Sequence, residues 1–191
     1  PGSSVSYSFV ITNTGNADEA FAYTTSSDND WGLGGGAGTT GSLAMGASET
    51  VTVVHTVSES ASSGDSDTIT FASGSQSATA TTTSEQTYGA SITLDESNEP
   101  STLNPGATFT ISYTVTNTGN GADDFSVFFD AAWMSGSSGT SLSLAEGATG
   151  TSTLTITVPN DAASGSSSTA SASVAGGGGE TATYGPQTIT V

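Results

Sequence analysis

The stretch Phe109-Thr110-Ile111-Ser112-Tyr113-Thr114-Val115-Thr116-Asn117-Thr118-Gly119-Asn120 decides the fold. Its large apolar side chains fall on every second residue, the period of a strand with one buried face, and an Asn-Thr-Gly-Asn turn ends it. Threonine between them suits the solvent face of a sheet, because its β-branch favours extended backbone. The phrase also occurs earlier, as Val5, Tyr7, Phe9 and Ile11 followed by Asn13-Thr14-Gly15-Asn16. Pro-Gly leads both copies, at Pro1-Gly2 and Pro105-Gly106, and the offset is 104 at either end of the block (105 − 1, 117 − 13). A constant offset marks an internal repeat, not a shared composition.

The repeat continues outward from this block. Phe21 matches Phe125, Trp31 matches Trp133, Gly46-Ala47 matches Gly147-Ala148, and Gly64 matches Gly165. Further alternating runs, 51–57 with 153–158 and 68–71 with 171–174, predict strands at corresponding places. No run has the period of a helix of ordinary length. Short strands separated by Gly, Asn, Asp and Ser turns describe an all-β sandwich, here two in tandem.

The 191 residues hold no Lys, no Arg, no Cys and one His against 18 Asp and Glu, a formal charge of −18. Nucleic-acid binding, which needs cations on phosphates, is excluded. An anionic membrane surface repels such a chain, and no apolar run is long enough to insert into a bilayer. The Gly34–Gly41 stretch lacks the lysine and the strand-helix setting of a phosphate loop. Without cysteine there is no disulfide to report a redox compartment. Trypsin-like proteases find no site, which suits long exposure outside a cell. Self-repulsion among the acids predicts a dependence on salt or divalent ions.

Several residues together resemble a known group of modules. They are Pro105-Gly106, Val115 to Asn120, Asp123-Asp124, Phe125, Trp133, Leu144 to Gly147, Val158-Pro159 and Ala162 to Gly165. In this order they resemble the immunoglobulin-like repeat families of prokaryotic surface proteins, the CARDB, NEW3 and DUF11 type modules. The likeness covers nearly the whole chain, twice, although the first module has Val57-Ser58 where the pattern has Val-Pro. It implies tandem immunoglobulin-like Greek-key β-sandwiches in extracellular or cell-surface arrays, as stalks, surface-layer components or spacers beside enzymes.

The module ends carry a further expectation. Tyr88-Gly89-Ala90-Ser91-Ile92-Thr93-Leu94 reads as a first strand before Pro105-Gly106, and Tyr184-Gly185 to Val191 repeats its phrase. The boundaries expected are 1–87 for a sandwich lacking its first strand and 88–183 for a second sandwich. Residues 184–191 are expected as the first strand of a following module or a strand donated to a neighbouring subunit. The two explanations are an excerpt from a longer array and strand addition between copies. Tyr184, Ile189 and Val191 would enter a neighbour, received by Val5, Tyr7 and Phe9. The partner is then the chain itself, in a structural subunit of an extracellular filament, surface layer or stalk.

Catalysis finds little support. His55 takes the place of Ile156 on the inward face of a strand and reads as a packed histidine; no Gly-x-Ser-x-Gly accompanies it. Asp18-Glu19, Asp28 with Asp30, Asp65 with Asp67, Asp95-Glu96 and Asp123-Asp124 are carboxylate pairs in turns and strand ends. Their repetition in both modules argues against a glycosidase pair. Loop carboxylates suit calcium, and Asp18, Glu19, Asp123 and Asp124 are the candidate ligands, although no cofactor is required. Solvated acidic turns are the plainer reading. The competing function is a carbohydrate-binding or spacer module of a secreted adhesin or glycosidase, with Tyr23, Trp31, Tyr88, Trp133 and Tyr184 stacking on glycans. Core packing is the plainer role for the two tryptophans.

Overall fold

The computed structural model describes residues 1–95, 102–135 and 139–191. Every element in them is a strand or a turn, and among these described residues no helix is long and apolar enough to cross a membrane. The chain divides into two compact units, Pro1–Gln86 and Thr87–Val191.

Unit 1 holds β1 (Ser4–Thr12), β2 (Ala22–Ser27), β3 (Gly32–Gly34), β4 (Gly38–Thr39), β5 (Ser48–Thr56), β6 (Ser66–Ser73) and β7 (Gln76–Thr83). They form a three-stranded sheet in the order β1-β5-β3 and a four-stranded sheet in the order β4-β2-β6-β7. The alternation seen in the sequence sets which side chains meet. Phe9, Ile11, Val51 and Val53 point inward from the first sheet onto Ile69 and Phe71 of the second. Phe9 stacks on Phe71 with ring centroids 4.7 Å apart.

Unit 2 holds β8 (Ala90–Leu94), β9 (Thr108–Asn117), β10 (Asp123–Ala131), β11 (Thr140–Leu144), β12 (Thr149–Thr157), β13 (Ser167–Gly176) and β14 (Thr181–Thr190). Its sheets run β12-β9-β8 and β11-β10-β13-β14. Ile111, Tyr113 and Val115 of β9 pack on Phe125 and Val127 of β10, with Ile92 and Leu94 of β8 completing the layer. The repeat therefore aligns β1 with β9, β5 with β12, β6 with β13 and β7 with β14.

The turn that ends the first strand is built identically in both units. Asn13 Nδ2 donates to the carbonyls of Ala17 (2.8 Å) and Leu43 (2.7 Å), and its Oδ1 accepts from Gly15 N–H (2.9 Å). Asn117 Nδ2 donates to Gly121 (2.8 Å) and Leu144 (3.0 Å), and its Oδ1 accepts from Gly119 N–H (2.9 Å). Both asparagines are buried, so these bonds offset the cost of taking the amide out of water.

One expectation about the chain's end is corrected. Residues 184–191, read as a first strand for a following module or a neighbour, lie in β14 and the residue after it. In β14, Thr188, Ile189 and Thr190 pair with Thr169, Ser168 and Ser167 of β13. Ile189 is fully buried in the core of its own unit, and Tyr184 packs edge-on against Tyr113 at 6.1 Å. Val191 N–H donates to Ser166 O, and Val191 O accepts from Gly165 N–H, each at 2.9 Å. The phrase shared with 88–94 is a strand's alternation; which edge a strand joins depends on long-range pairing that the phrase does not encode. Pro186 is tolerated because β14 is an edge strand and the pairing shifts register between Ala170 and Ala172. Replacing Ile189 by Ala should therefore destabilise unit 2 by about 2–4 kcal/mol, read as an earlier denaturant midpoint. Unchanged stability would mean that the strand is not part of this core.

Candidate functional site

Three places gather polar or open chemistry. The first is inside unit 1, where His55, Asp67, Ser27, Thr82 and Tyr7 form a line of hydrogen bonds. His55 Nε2 lies 3.0 Å from Asp67 Oδ2 and Nδ1 lies 2.7 Å from Thr82 Oγ1. Tyr7 reaches in from β1, its hydroxyl 2.9 Å from Thr82 Oγ1 and donating to Thr81 O at 3.0 Å. Asp67 accepts the Ser27 hydroxyl on the oxygen that faces His55, and the N–H groups of Asp28 and Asn29 on the other, both at 2.9 Å. Trp31 covers the imidazole, with ring centroids 5.7 Å apart. The equivalent positions in unit 2 are, in the same order, Ile156, Ser168, Ala131, Ile189 and Ile111. Unit 1 thus carries a polar plug where unit 2 carries an apolar one.

A Thr–His–Asp line is the arrangement that activates a nucleophile. Here it has no room to act. His55 and Asp67 are buried, the Ser27 hydroxyl is spent on the carboxylate, and Tyr7 holds the Thr82 hydroxyl. Burial pushes the Asp67 pKa up, but the Ser27 hydroxyl, the Asn29 N–H and His55 together outweigh it and hold the group at about 2, below its ordinary 3.8.

The second place is an acid pair in unit 2 that the sequence does not announce. Asp123 lies against Glu180, 57 residues away along the chain. Asp123 Oδ2 and both Glu180 carboxyl oxygens are shut off from solvent, and the backbone N–H groups of Gly178 and Glu180 on the Glu180 side hold its pKa down only in part. Two carboxylates offer only acceptors, so the contact closes when one of them carries a proton. Burial and the hydrogen bond with Asp123 raise the pKa of Glu180; that bond lowers the pKa of Asp123 against burial, with help from the N–H groups of Asp124 and Gly177. Gly176 and Gly177 make the approach possible, because a Cβ on either would collide with these carboxyls.

The remaining acidic candidates face water. Asp18 and Glu19 are exposed; Glu19 engages Leu43 only through its backbone, N–H to O at 3.1 Å and 2.8 Å. Asp124 is exposed and accepts the Ser143 hydroxyl. Among the described residues, no group of three or more His, Asp or Glu side chains is arranged to hold a metal ion. Glu96 of the Asp95-Glu96 pair lies outside the described residues. The aromatic rings considered for sugar stacking are largely packed. Trp31 is buried, Trp133 lies against the unit 2 core, and Tyr23 stacks on Phe71 at 5.2 Å. Tyr88 is half exposed, with its ring over Gly178.

The third place is an open groove of about 570 Å³ along the outer edge of β1, lined by Val10, Ile11, Thr12 and Thr14 on one side. Phe21, Phe71, Ser73, Gln76, Ser77 and Ala78 line the other. No described strand pairs with this edge of β1. Of the residues expected to receive a strand, Phe9 lies beneath the groove, stacked on Phe71. Tyr7 is tied to β7, and Val5 is partly exposed opposite His55. Tyr184, Ile189 and Val191, expected as the entering side chains, are engaged within unit 2.

The two carboxyl sites predict opposite pH behaviour. Folding lowers the Asp67 pKa, so its contribution is complete above about pH 4 and is lost as pH falls towards 2. Asp67→Asn should cost about 1–3 kcal/mol at neutral pH, and the gap to the parent should close over that acid window in pH-dependent melting. A gap that stays constant would contradict the assignment. Folding raises the Glu180 pKa, so its contribution is complete below the ordinary 4.5 and fades as pH rises. Glu180→Gln, which keeps a donor at every pH, should melt higher than the parent at pH 7 and lose that advantage below pH 4.5. A lower melting temperature at pH 7 would refute the shared proton.

With this geometry in hand, comparison with known proteins gives a family. The sequence profile of the VWA7 Ig-like domain matches residues 92–190, which is most of unit 2 and over half of the chain. No curated protein matches the chain. Similar solved structures include Spo0M, a sporulation control protein from Bacillus subtilis, at 11% identity and TM-score 0.34, covering 55% of this chain and 49% of that one. Red sea bream transglutaminase is 13% identical at TM-score 0.32, covering 100% and 29%. A chimeric titin Z1Z2 tandem is 18% identical at TM-score 0.28, covering 99% and 90%. The chain spans about half of Spo0M and under a third of the transglutaminase, and likeness at this level carries no argument about function. The immunoglobulin-like character expected from the sequence stands, while the profile matched is not that of the CARDB, NEW3 or DUF11 modules. The chain belongs to the VWA7 Ig-like domain family.

Proposed function

We propose that this chain is a non-catalytic structural element of an extracellular filament, surface layer or stalk, in which Ig-like units carry load and associate with units of their own kind. The observation that carries this reading is the repetition itself. Two sandwiches share their central strand pairings and one asparagine-locked turn, each with its own packed core. Load applied along such a chain is resisted by the long antiparallel pairings, nine residue pairs between β1 and β5 and nine between β9 and β12. These must shear together before either core opens.

The surface chemistry supports a setting outside the cell. A formal charge of −18 with no Lys or Arg keeps copies apart in solution and offers trypsin-like proteases no site. Salt, or a divalent ion such as calcium held loosely at exposed acids, would screen the repulsion enough for units to meet. Because β14 is engaged in its own sandwich, contacts between units do not draw on it.

Single-molecule pulling tests the load-bearing claim. The full chain should unfold in two separate steps, lengthening by about 31 nm and about 38 nm, from 86 and 105 residues at roughly 3.6 Å each. Extension without resolved steps would overturn it.

A further inference from the structure

In unit 2 the outer edge of β9 is covered. Ala90, Ser91, Ile92, Thr93 and Leu94 of β8 pair antiparallel with Asn117, Thr116, Val115, Thr114 and Tyr113. The approach is also anchored ahead of the strand. Thr118 N–H donates to Gly89 O (2.9 Å), Asn120 N–H donates to Thr87 O (3.1 Å), and the Asn120 side-chain oxygen accepts from Thr87 N–H (2.6 Å). A Cβ on Gly89 would collide with Thr118, so the backbone crosses there only with glycine.

Unit 1 repeats the receiving half of this arrangement. Phe9, Ile11, Asn13, Thr14 and Asn16 stand where Tyr113, Val115, Asn117, Thr118 and Asn120 stand in unit 2. The groove along β1 occupies the place of β8. Burial differs accordingly: Phe9 and Ile11 are 9% and 8% exposed, whereas Tyr113 and Val115 are fully buried. Asn16 is exposed where Asn120 is buried.

We propose that this groove is a strand-acceptor site, taking an extended, uncharged segment of the Tyr-Gly-x-x-Ile-x-Leu type antiparallel to β1. This deepens the structural reading above and rests on it. Charge favours such an occupant. No residue lining the groove is charged in a chain of −18, and the phrase from Tyr88 to Leu94 is itself uncharged. A neutral strand enters without the repulsion that an acidic segment would meet. The register follows from unit 2. The isoleucine lies opposite Ile11 and the leucine opposite Phe9, filling the space between β1 and the β6-β7 hairpin. The preceding glycine crosses at Thr14, and the residue before the tyrosine bonds to Asn16. The occupant extends the β1-β5-β3 sheet by main-chain hydrogen bonds, and its alternate side chains supply specificity.

The test uses the full chain and a labelled synthetic peptide with the sequence of residues 87–94 and blocked ends. Expected are saturable one-to-one binding by anisotropy and slowed amide exchange at residues 9–14. Binding should be lost when the peptide carries Ile92→Asp with Leu94→Asp, or Gly89→Val. Asn16→Ala in the chain, at an exposed position, should weaken it about tenfold, the worth of one or two hydrogen bonds. Since the chain has no cysteine of its own, register can be read directly. Thr12→Cys should form a disulfide with the peptide carrying Ser91→Cys, and Val54→Cys on β5 should not. Absence of saturable binding, protection away from β1, or displacement by a peptide of residues 183–191 would each overturn the proposal. Failure here with two-step unfolding intact would remove the acceptor site alone. Loss of the unfolding steps would remove the structural reading.

Discussion

The fold depends on a buried asparagine at the end of the first core strand of each unit. Asn13 and Asn117 sit out of water, and each makes three hydrogen bonds that no apolar residue could replace. One amide ties the end of β1 or β9 to its own turn and to the strand or segment that follows at Leu43 or Leu144. An unpaired buried amide is costly, so the turn can close in few ways. With this turn set, the alternation of β1 and β9 can present only one face to the core, and the remaining strands add around it.

Within that shared frame the two units fill one position with opposite chemistry. Unit 2 packs Ile156, Ile189 and Ile111 around Ser168, whereas unit 1 uses His55, Thr82 and Tyr7 around Asp67. A buried carboxylate is tolerated in unit 1 because four donors, the Ser27 hydroxyl, the N–H groups of Asp28 and Asn29, and His55, converge on it. Such a network contributes less to stability than a well-packed apolar core of the same volume, but it demands one arrangement of its members. Trp31 covers it, its ring centroid 5.7 Å from that of His55.

Edges distinguish the units as well. An uncovered strand edge invites pairing, and proteins usually blunt it with charge, proline or a covering strand. In unit 2 β8 covers β9. In unit 1 the edge of β1 carries serines, threonine and the exposed Val10, with Tyr7 bridging to β7 but no strand alongside. The acids lie elsewhere, so their repulsion discourages indiscriminate contact while leaving the groove neutral.

The sequence by itself determined the strands, their inward faces, the repeat and the placement of His55 in a core position, because period-two alternation and turn residues are local signals. It also determined the charge and hence the classes of partner excluded. Only the tertiary structure decided that 184–191 closes its own sandwich, since a strand's alternation marks its faces and not the edge it joins. Only the tertiary structure brought Glu180 against Asp123 and aimed Ser27 and His55 at Asp67. Those meetings depend on strand register across long separations, and Asp67 reads in the sequence as one more acid in a turn. The groove beside β1 was legible in part, as a first strand seen in one module and not the other. Its depth and neutral lining followed from how β6 and β7 pack over Phe9 and Ile11, which no local pattern records.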